Sequence, residues 1–264
     1  MKKQKFNINV SDAVILSIKE TDGGYFRMKL AAPVIARTAK PGQFISLKVN
    51  ASGMPLIRRP MGIFSAGKGC VEILFKAAGK GTEILSKKKK GEIISVLGPL
   101  GNGFTVREGL RHAVLVAGGY GVSPVAFLYR ELKRRKINTT VIIGAKNKKL
   151  LYKEGFKSPK ITTEDGSRGF KGLVTGQLDK ACAGLSCGTS AVYACGPVPM
   201  LKAVAQVSEK HGIECQVSME SMMACGIGVC LSCVCSVKEG MGTGYKRICA
   251  DGPVFDSREI VWRT

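Results

Sequence analysis

Short runs in which apolar and polar residues alternate fill the first hundred positions of the chain. Turn-forming sequences such as TDGG, KPG, ASGMP, AGKG and KKKKG separate them. The runs are NINVSDAVILSIKE (7–20), YFRMKLAAP (25–33), QFISLKVN (43–50), GCVEILFKAAG (69–79) and EIISVLGP (92–99). Because apolar residues at every second position place one face of a strand in a core, this region predicts a small β-barrel or sandwich.

The pattern changes near residue 110, where continuous apolar strands begin to alternate with amphipathic helices. The segment 112–136 predicts a buried strand, a glycine-rich turn and a helix that Ser123 caps, with Pro124 in its first turn. Further strands are predicted at TTVIIGA (139–145) and AVYACGPVP (191–199), and a helix over 200–212. This alternation is typical of a doubly wound parallel α/β sheet.

The segment from about residue 215 to the end is too short to enclose a core of its own. It contains MMACGIGVCLSCVCSV (222–237), followed by YKRICADGPVFD (245–256) and REIVW (258–262). We therefore predict three units, at residues 1–104, 105–215 and 216–264, the last held in shape by something other than a core of its own.

Composition narrows the classes of protein to which the chain belongs. It has 264 residues, 45% of them apolar, and no apolar run approaches the roughly 18 residues that cross a bilayer. The basic N-terminus has no apolar segment or cleavage site after it, so we expect a cytoplasmic protein. The net charge of +22 suits an acidic partner or nucleic acid, but aromatic residues are only 6%. We expect no nucleic-acid binding and interpret Lys87–Lys90 and the cations at 133–136 as solvated surface.

Four cysteines have the spacing of a metal centre. Cys225, Cys230 and Cys233 form C-x4-C-x2-C, and Cys249 follows after a hairpin-like stretch. This is the plant-type spacing of a [2Fe–2S] cluster, whereas structural zinc sites usually contain two C-x2-C pairs. The spacing therefore favours the cluster over zinc. Cys235 is a fifth thiol that we interpret as a bystander, and packing explains the remaining cysteines.

Several glycine-rich segments could hold nucleotides. AGGYGVSP (117–124) lies between a strand and a helix, where backbone N–H groups bind a pyrophosphate. No acidic residue ends the next strand; Lys146, Lys148 and Lys149 follow it instead, which leaves NADP open beside NAD. RRPMGIF (58–64) could clamp a second pyrophosphate through guanidinium groups, and KAAGKGTEIL (76–85) could form another anion cradle. Each of the last two segments could equally be a hairpin turn.

The order of these motifs resembles the ferredoxin–NADP reductase superfamily. MACGIGVCLSC and YKRICADGPVF are most similar to the electron-transfer subunits of class 1B dihydroorotate dehydrogenases, and the resemblance covers essentially the whole chain. It implies an α+β multidomain protein: an N-terminal antiparallel β-barrel for FAD, a doubly wound α/β domain for NAD and a small C-terminal [2Fe–2S] module. LGPLGNGF, which ends at Phe104, resembles the segment that links the domains.

The resemblance also implies site residues. The flavin residues would be Arg59, Pro60, Met61, Gly62, Leu74, Phe75, Lys76, Gly81 and Thr82; the nucleotide residues Gly118, Gly119, Gly121, Asp165, Cys195, Gly196 and Pro197; and the metal ligands Cys225, Cys230, Cys233 and Cys249. Gly62 departs from the family's flavin motif, which has serine there. That difference puts the tuning of the flavin in doubt.

The function that the resemblance implies is electron transfer within a larger enzyme. An FMN-containing dihydroorotate dehydrogenase subunit would supply electrons, which would pass through the [2Fe–2S] cluster and FAD to NAD+ in a heterotetramer of two copies of each subunit. No side chain of this chain is needed as a general acid or base, and we interpret His112 and His211 as structural. The alternatives are a reductase subunit that serves ferredoxin or a sulfur-reducing system, and a zinc-stabilised nucleic-acid-binding protein.

Overall fold

Six antiparallel strands close into a barrel at the N-terminal end of the chain. The computed structural model describes residues 8–50 and 53–262, so Asn7 and the first two residues of the predicted turn at 51–55 lie outside it. Around the barrel the strands follow the order β1-β2-β5-β4-β3-β6, and β6 pairs with β1. The strands are β1 (Asn9–Thr21), β2 (Tyr25–Ala31), β3 (Phe44–Lys48), β4 (Arg59–Gly67), β5 (Cys70–Phe75) and β6 (Ile93–Leu100).

The alternating pattern of the sequence puts branched apolar side chains inside this barrel. Ile15, Leu30, Ile45, Ile63 and Ile73 are fully buried in one core cluster, one from each of five strands. Two short helices, α1 (Pro33–Thr38) and α2 (Lys80–Ser86), complete this part of the chain. The prediction of an antiparallel barrel is confirmed.

A seven-stranded sheet follows the barrel, in the order β10-β9-β8-β7-β11-β12-β15. The first six strands in that order run parallel to their neighbours, whereas β15 is antiparallel to β12. The strands are β7 (His112–Gly118), β8 (Asn138–Ala145), β9 (Lys160–Thr163), β10 (Phe170–Lys171), β11 (Ser190–Cys195), β12 (Glu214–Ser218) and β15 (Val254–Asp256). The doubly wound sheet is confirmed, although β9, β10, β12 and β15 were not predicted.

Three helices cover the two faces of this sheet. They are α3 (Val122–Arg134), α4 (Val174–Cys182) and α5 (Val198–Lys210), of which α4 was not predicted. Successive residues of β7 point to opposite faces: Leu115 packs in the cluster that contains α3, and Val116 in the one that contains α4 and α5. Burial on both faces explains why β7 is a continuous apolar run rather than an alternating one.

The prediction that Ser123 caps α3 is wrong. A short 3-10 turn over Gly119–Gly121 leads straight into the helix, so the cap position falls on Gly121 and no side chain caps it. Ser123 instead lies inside the first turn and is buried, and its hydroxyl donates to the carbonyl oxygen of Gly62 in the barrel at 2.8 Å. Pro124 is in the first helical turn, as predicted.

The cysteine-rich segment shares the core of the α/β sheet. A hairpin of β13 (Val234–Glu239) and β14 (Gly242–Arg247) packs Val237 and Ile248 into the cluster that holds Val217 of β12 and Phe255 of β15. As its short length predicted, the segment has no separate core and is stabilised by packing against the α/β sheet. β12 continues across residues 215 and 216, between which we predicted a domain boundary. The position of that boundary remains a prediction.

Both histidines contact neighbouring elements. His112 Nε2 lies 3.0 Å from the Thr140 hydroxyl on β8, and burial lowers the pKa of its imidazole. His211 Nε2 lies 2.8 Å from a carboxylate oxygen of Asp179 on α4.

Within residues 8–50 and 53–262, no helix has the length and apolar content needed to span a membrane.

Candidate functional site

A cavity of about 360 Å³ lies where the barrel, the α/β sheet and the cysteine-rich segment meet. Seven residues of the predicted flavin motifs line it: Pro60, Met61, Gly62, Leu74, Phe75, Lys76 and Thr82. The opposite wall comes from the α/β sheet and the chain after it, namely Tyr120, Ser123, Pro124, Cys195, Ser218, Met219, Glu220, Ser221 and Met223. The structure therefore brings together motifs from all three parts of the chain around one cavity.

The flavin motif on β4 is joined directly to helix α3. The Gly62 carbonyl accepts from Ser123, and the Phe64 carbonyl accepts from the guanidinium of Arg130 at 2.5 Å. A Cβ at position 62 would lie at ordinary contact distance from Pro124 (3.5 Å) and the Ser123 hydroxyl (3.8 Å), so the local packing does not require glycine there. These two bonds fix the barrel against the α/β sheet on one side of the cavity.

Aromatic side chains connect the barrel to the α/β sheet beside the cavity. Tyr25 on β2 is buried, and its ring meets that of Tyr120, from the AGGYG turn, edge-on at 6.0 Å. The ammonium of Lys76 lies 4.2 Å from the centre of the Tyr25 ring, and burial lowers its pKa. Lys76, a predicted flavin residue, thus places a cation at the cavity wall. Its contact with the Tyr25 ring was not predicted from the sequence.

Two predicted flavin residues lie beside the cavity rather than in its wall. A Cβ on Gly81 would overlap the guanidinium of Arg59, so the absence of a side chain at 81 lets Arg59 lie against α2. The Arg59 guanidinium also donates to the Ile57 carbonyl. The Thr82 hydroxyl accepts from the backbone N–H groups of Ala78 (3.0 Å) and Gly79 (3.1 Å), which shapes the loop before α2.

The predicted nucleotide loops meet at the carboxyl end of the parallel sheet. β7 has β8 on one side and β11 on the other, so the strand order reverses there, which is where α/β sheets bind ligands. Ala117 and Cys195 are paired across β7 and β11. Gly121 lies directly on the peptide that joins Cys195 to Gly196, and a Cβ at 121 would overlap the Cys195 carbonyl. The AGGYG and CGP loops are therefore packed together.

Asp165 lies at the same end of the sheet, two residues beyond β9. Its Oδ1 accepts from the backbone N–H (2.9 Å) and hydroxyl (2.7 Å) of Ser167, and these bonds lower the pKa of the carboxyl. Ser167 in turn accepts from the backbone N–H of Lys148, after β8. An acidic group therefore does stand among the lysines at this edge, reached from β9 rather than from β8.

A thiol and a carboxylate face each other in the cavity. Cys195 Sγ lies 3.9 Å from Oε1 of Glu220, and burial raises the pKa values of both groups. Glu220 follows β12, a strand that the sequence analysis did not identify, and so was missed as a site residue. In a cavity lined mainly by apolar atoms, this pair could hold a proton.

The first three motif cysteines lie on a tightly curled loop. Gly226, Gly228 and Leu231 have positive φ values of 72°, 85° and 57°, and this curls the backbone so that its N–H groups point inward. The Cys225 sulfur accepts from the N–H groups of Ile227 (3.5 Å), Val229 (3.4 Å) and Cys230 (3.4 Å). Such N–H···S bonds stabilise sulfur that carries negative charge.

The fourth cysteine joins this loop from the end of the β13–β14 hairpin. Cys249 Sγ accepts from the Gly228 N–H at 3.1 Å, and the Cys249 N–H donates to the sulfur of Cys233 at 3.4 Å. Burial raises the pKa of Cys249 to about 12, whereas the Ser232 hydroxyl and loop amides lower that of Cys230 to about 6. Two of the N–H···S bonds therefore link the turn that carries Cys249 to the curled loop, at Gly228 and at Cys233.

This donor set fits an iron–sulfur cluster. Four thiols and five N–H groups directed at three of them are present, which is the chemistry that such clusters use. Over the described ranges, no group of three His, Cys, Asp or Glu side chains has the arrangement that a single metal ion requires. Cys235, on β13, packs at the edge of the shared core, and burial raises its pKa to about 11.

The segment predicted to link the domains is bound to the cysteine-rich segment. The Asn102 amide donates to the carbonyls of Ala250 (3.1 Å) and Asp251 (2.9 Å), immediately after Cys249. Gln43, at the start of β3, donates to the Gly101 carbonyl at 2.7 Å. Barrel, linker and fourth cysteine are thus connected in sequence by hydrogen bonds.

Comparison with known proteins shows the family to which the chain is similar. Residues 220–261 match the family model of the iron–sulfur cluster binding domain of dihydroorotate dehydrogenase B. A protein of Caldanaerobacter subterraneus subsp. tengcongensis named dihydroorotate dehydrogenase B (NAD(+)), electron transfer subunit, is 40% identical over 84% of this chain and 87% of its own. A protein of the same name from Desulforamulus reducens is 37% identical over 96% and 98%.

Solved structures have the same architecture. An NADH-dependent reduced ferredoxin-NADP oxidoreductase, described in connection with flavin-based electron bifurcation, superposes with a TM-score of 0.83 at 30% identity, over 95% of this chain and 90% of that one. A ferredoxin NADP+ reductase from Neisseria gonorrhoeae, with bound FAD and NADP, gives 0.63 at 19% identity over 77% and 92%, which shows a shared fold.

Proposed function

Because the chain belongs to the family of electron transfer subunits of dihydroorotate dehydrogenase B (NAD(+)), we propose that it carries electrons between an FMN-containing catalytic subunit and NAD+. The observation that carries this proposal is the wall of the cavity. Met219, Glu220, Ser221 and Met223 line it, and the chain reaches Cys225 two residues later. The same segment therefore borders the predicted flavin site and begins the cysteine loop.

Three groups would be held by residues described above. FAD would be held by the β4 motif, Leu74–Lys76 and Thr82, and NAD by the AGGYG and CGP loops and Asp165. The four motif cysteines would hold the cluster. When bound, FAD exchanges single electrons with the cluster and a hydride with NAD+. The protein supplies position and electrostatic environment for this chemistry.

The chain's own residues hold the barrel and the α/β sheet in a fixed arrangement around these groups. The rings of Tyr25 and Tyr120 join barrel and sheet edge-on beside the cavity, while Ser123 and Arg130 fix the two parts to each other by hydrogen bonds. The Cys195 and Glu220 pair provides a proton site where the nucleotide loop enters the cavity. No general acid or base is assigned to the chain beyond this pair.

We place the catalytic subunit over the rim of the cysteine loop, which we define as Ile227, Val229 and Leu231. These apolar side chains surround the exposed Cys230, and Val229 and Leu231 are 75% and 61% exposed. A cluster at Cys230 would thus approach the surface at an apolar face, and exposed apolar patches mark sites of protein–protein interaction. The net charge of +22 suits an acidic partner.

Val229→Glu should weaken this complex at least about 30-fold, the effect of a 2 kcal/mol contact. The Val229 side chain is exposed, so its replacement leaves the fold unchanged. The measurement is the Kd for the catalytic subunit of the same organism, together with the mass of the complex, expected to contain two copies of each chain. Val34→Glu, at an exposed position on α1, is the matched control. An unchanged Kd for Val229→Glu would remove the catalytic subunit from this face.

The relative described as an NADH-dependent reduced ferredoxin-NADP oxidoreductase supports a second candidate, in which the partner is an electron carrier such as ferredoxin. Both functions use the same cavity and cysteine loop. They differ in the molecule that exchanges electrons with the cluster, so the partner assay separates them.

The proposed function is tested on anaerobically purified protein, by its visible spectrum and by assays of flavin, iron and labile sulfide before and after NADH. We expect one FAD and two irons, and bleaching of both signals by NADH. With the catalytic subunit added, dihydroorotate should reduce NAD+; reduction by reduced ferredoxin alone would favour the second candidate. A colourless protein that contains zinc, and binds no flavin on reconstitution, would refute both.

A further inference from the structure

The side chain of Arg247 joins the two parts of the cysteine-rich segment. Arg247 ends β14, two residues before Cys249. Its Nε and Nη2 donate to the two oxygens of the Asp251 carboxylate, each at 2.9 Å, and Nη1 donates to the Gly228 carbonyl at 3.0 Å. One guanidinium therefore ties the turn that carries Cys249 to the loop that carries Cys225 and Cys230.

The peptide groups of Gly228 are held from several directions. Its N–H donates to the Cys249 sulfur at 3.1 Å, the shortest of the five N–H···S bonds found in the described residues. Its carbonyl accepts from Arg247, and a Cβ on residue 228 would lie 2.8 Å from that of Ala250. The loop approaches the Cys249 turn closely here, and Arg247 is the side chain that holds it there.

We infer that Arg247 is a positioning residue for the iron–sulfur cluster. By holding the Gly228 N–H on the sulfur of Cys249, Arg247 raises the reduction potential of the cluster and slows its loss from the protein. This rests on the proposed function, in that Cys249 is a ligand of the cluster. An N–H···S bond stabilises the added negative charge of the reduced cluster, so its loss lowers the potential.

Position should matter more than charge. Asp251 neutralises much of the guanidinium charge, so removing a cation alone changes the field at the cluster little. A lysine at 247 keeps the charge but lacks the planar fork needed to bind Asp251 and the Gly228 carbonyl together. Arg247→Lys should therefore resemble Arg247→Gln, which would not be the case if charge dominated.

The test measures the cluster by electron paramagnetic resonance during a redox titration of full-length protein, and its lifetime in the presence of an iron chelator. In Arg247→Gln and Arg247→Lys the ratio of reduced to oxidised cluster at a fixed ambient potential should fall about tenfold, a 59 mV shift for a one-electron couple. The cluster should be lost about tenfold faster, the low end of the effect of an outer-shell contact. Asp251→Asn, which keeps the arginine, should move both values in the same direction by less.

Lys246→Gln is the matched control, because Lys246 is the preceding residue and pairs with Glu259 at 2.6 Å. It should leave potential and lifetime within about twofold of wild type. Equal reduction potentials and cluster lifetimes in the Arg247 variants and the control would overturn the inference. The proposed function would still stand, because the wild-type protein would contain the cluster. A wild-type protein that binds FAD but no cluster would instead overturn both. An Arg247 variant with normal FAD content and no cluster would support our inference that Arg247 helps the protein to retain the cluster.

Discussion

Cys249→Ser is expected to yield a yellow flavoprotein without an iron–sulfur signal. Cys249 is the ligand that comes from a separate segment, 16 residues after Cys233, and its buried sulfur accepts the shortest N–H···S bond. Serine has nearly the same shape, so the shared core should survive. Its hydroxyl does not ionise at neutral pH and is a poor ligand for iron beside three thiolates.

The measurement is iron content and the electron paramagnetic resonance signal of the reduced protein, followed by activity with the catalytic subunit. NADH should still bleach the flavin, because the flavin cavity and nucleotide loops do not include residue 249. Transfer from dihydroorotate to NAD+ should fall by more than the roughly 10- to 100-fold that loss of an outer-shell contact causes.

Cys235→Ser is the control for this experiment. Cys235 lies two residues from Cys233 and is half-buried at the edge of the same core, so its replacement tests packing without removing a predicted ligand. We expect a full complement of iron. Loss of the cluster in Cys235→Ser, together with its retention in Cys249→Ser, would show that the ligand set was chosen incorrectly.

Gly121→Ala is expected to disrupt both nucleotide binding and the fold around it. The added Cβ would overlap the Cys195 carbonyl and lie 2.7 Å from the Gly196 nitrogen. Backbone cannot move aside as a flexible side chain can, so the AGGYG and CGP loops must separate. We expect a cost of about 3 kcal/mol, the upper end for overpacking, and a Tm lower by roughly 6–12 °C.

The same change should reach the flavin site. Gly121 immediately precedes α3, whose Ser123 binds the barrel at Gly62, and Tyr120 lines the cavity. The KM for NADH should rise more than about tenfold, as loss of 1.4 kcal/mol of binding already produces that change. Thermal unfolding and stopped-flow reduction of the flavin by NADH measure the two effects.

Gly176→Ala provides the comparison. Gly176 is inside α4, and a Cβ there would meet nothing within 4 Å. Alanine favours the helix by roughly 0.5–1 kcal/mol, so this variant should be slightly more stable and bind NADH normally. If Gly121→Ala matched it in both measurements, the loops would not be packed as the structure shows.

Some features were predictable from the sequence because they depend on neighbouring residues. Alternation over 25–33 and 69–79 predicted β2 and β5, and the apolar run at 112–118 predicted β7. The cysteine spacing favoured the iron–sulfur cluster named by the matching family. Ser123 shows the limit of such local prediction. Its side chain and its position in the sequence suited a helix cap, but its hydroxyl instead donates a hydrogen bond to the barrel.

The sequence by itself determined most of the elements and their order and predicted the ligand types, since backbone propensity, side-chain period and cysteine spacing act over a few residues. The tertiary structure alone decided which distant groups meet: Glu220 with Cys195, Tyr120 with Tyr25, and Arg247 with Gly228. These pairs depend on how the barrel, sheet and cysteine loop pack, and that is set by the shared apolar cores rather than by any local pattern.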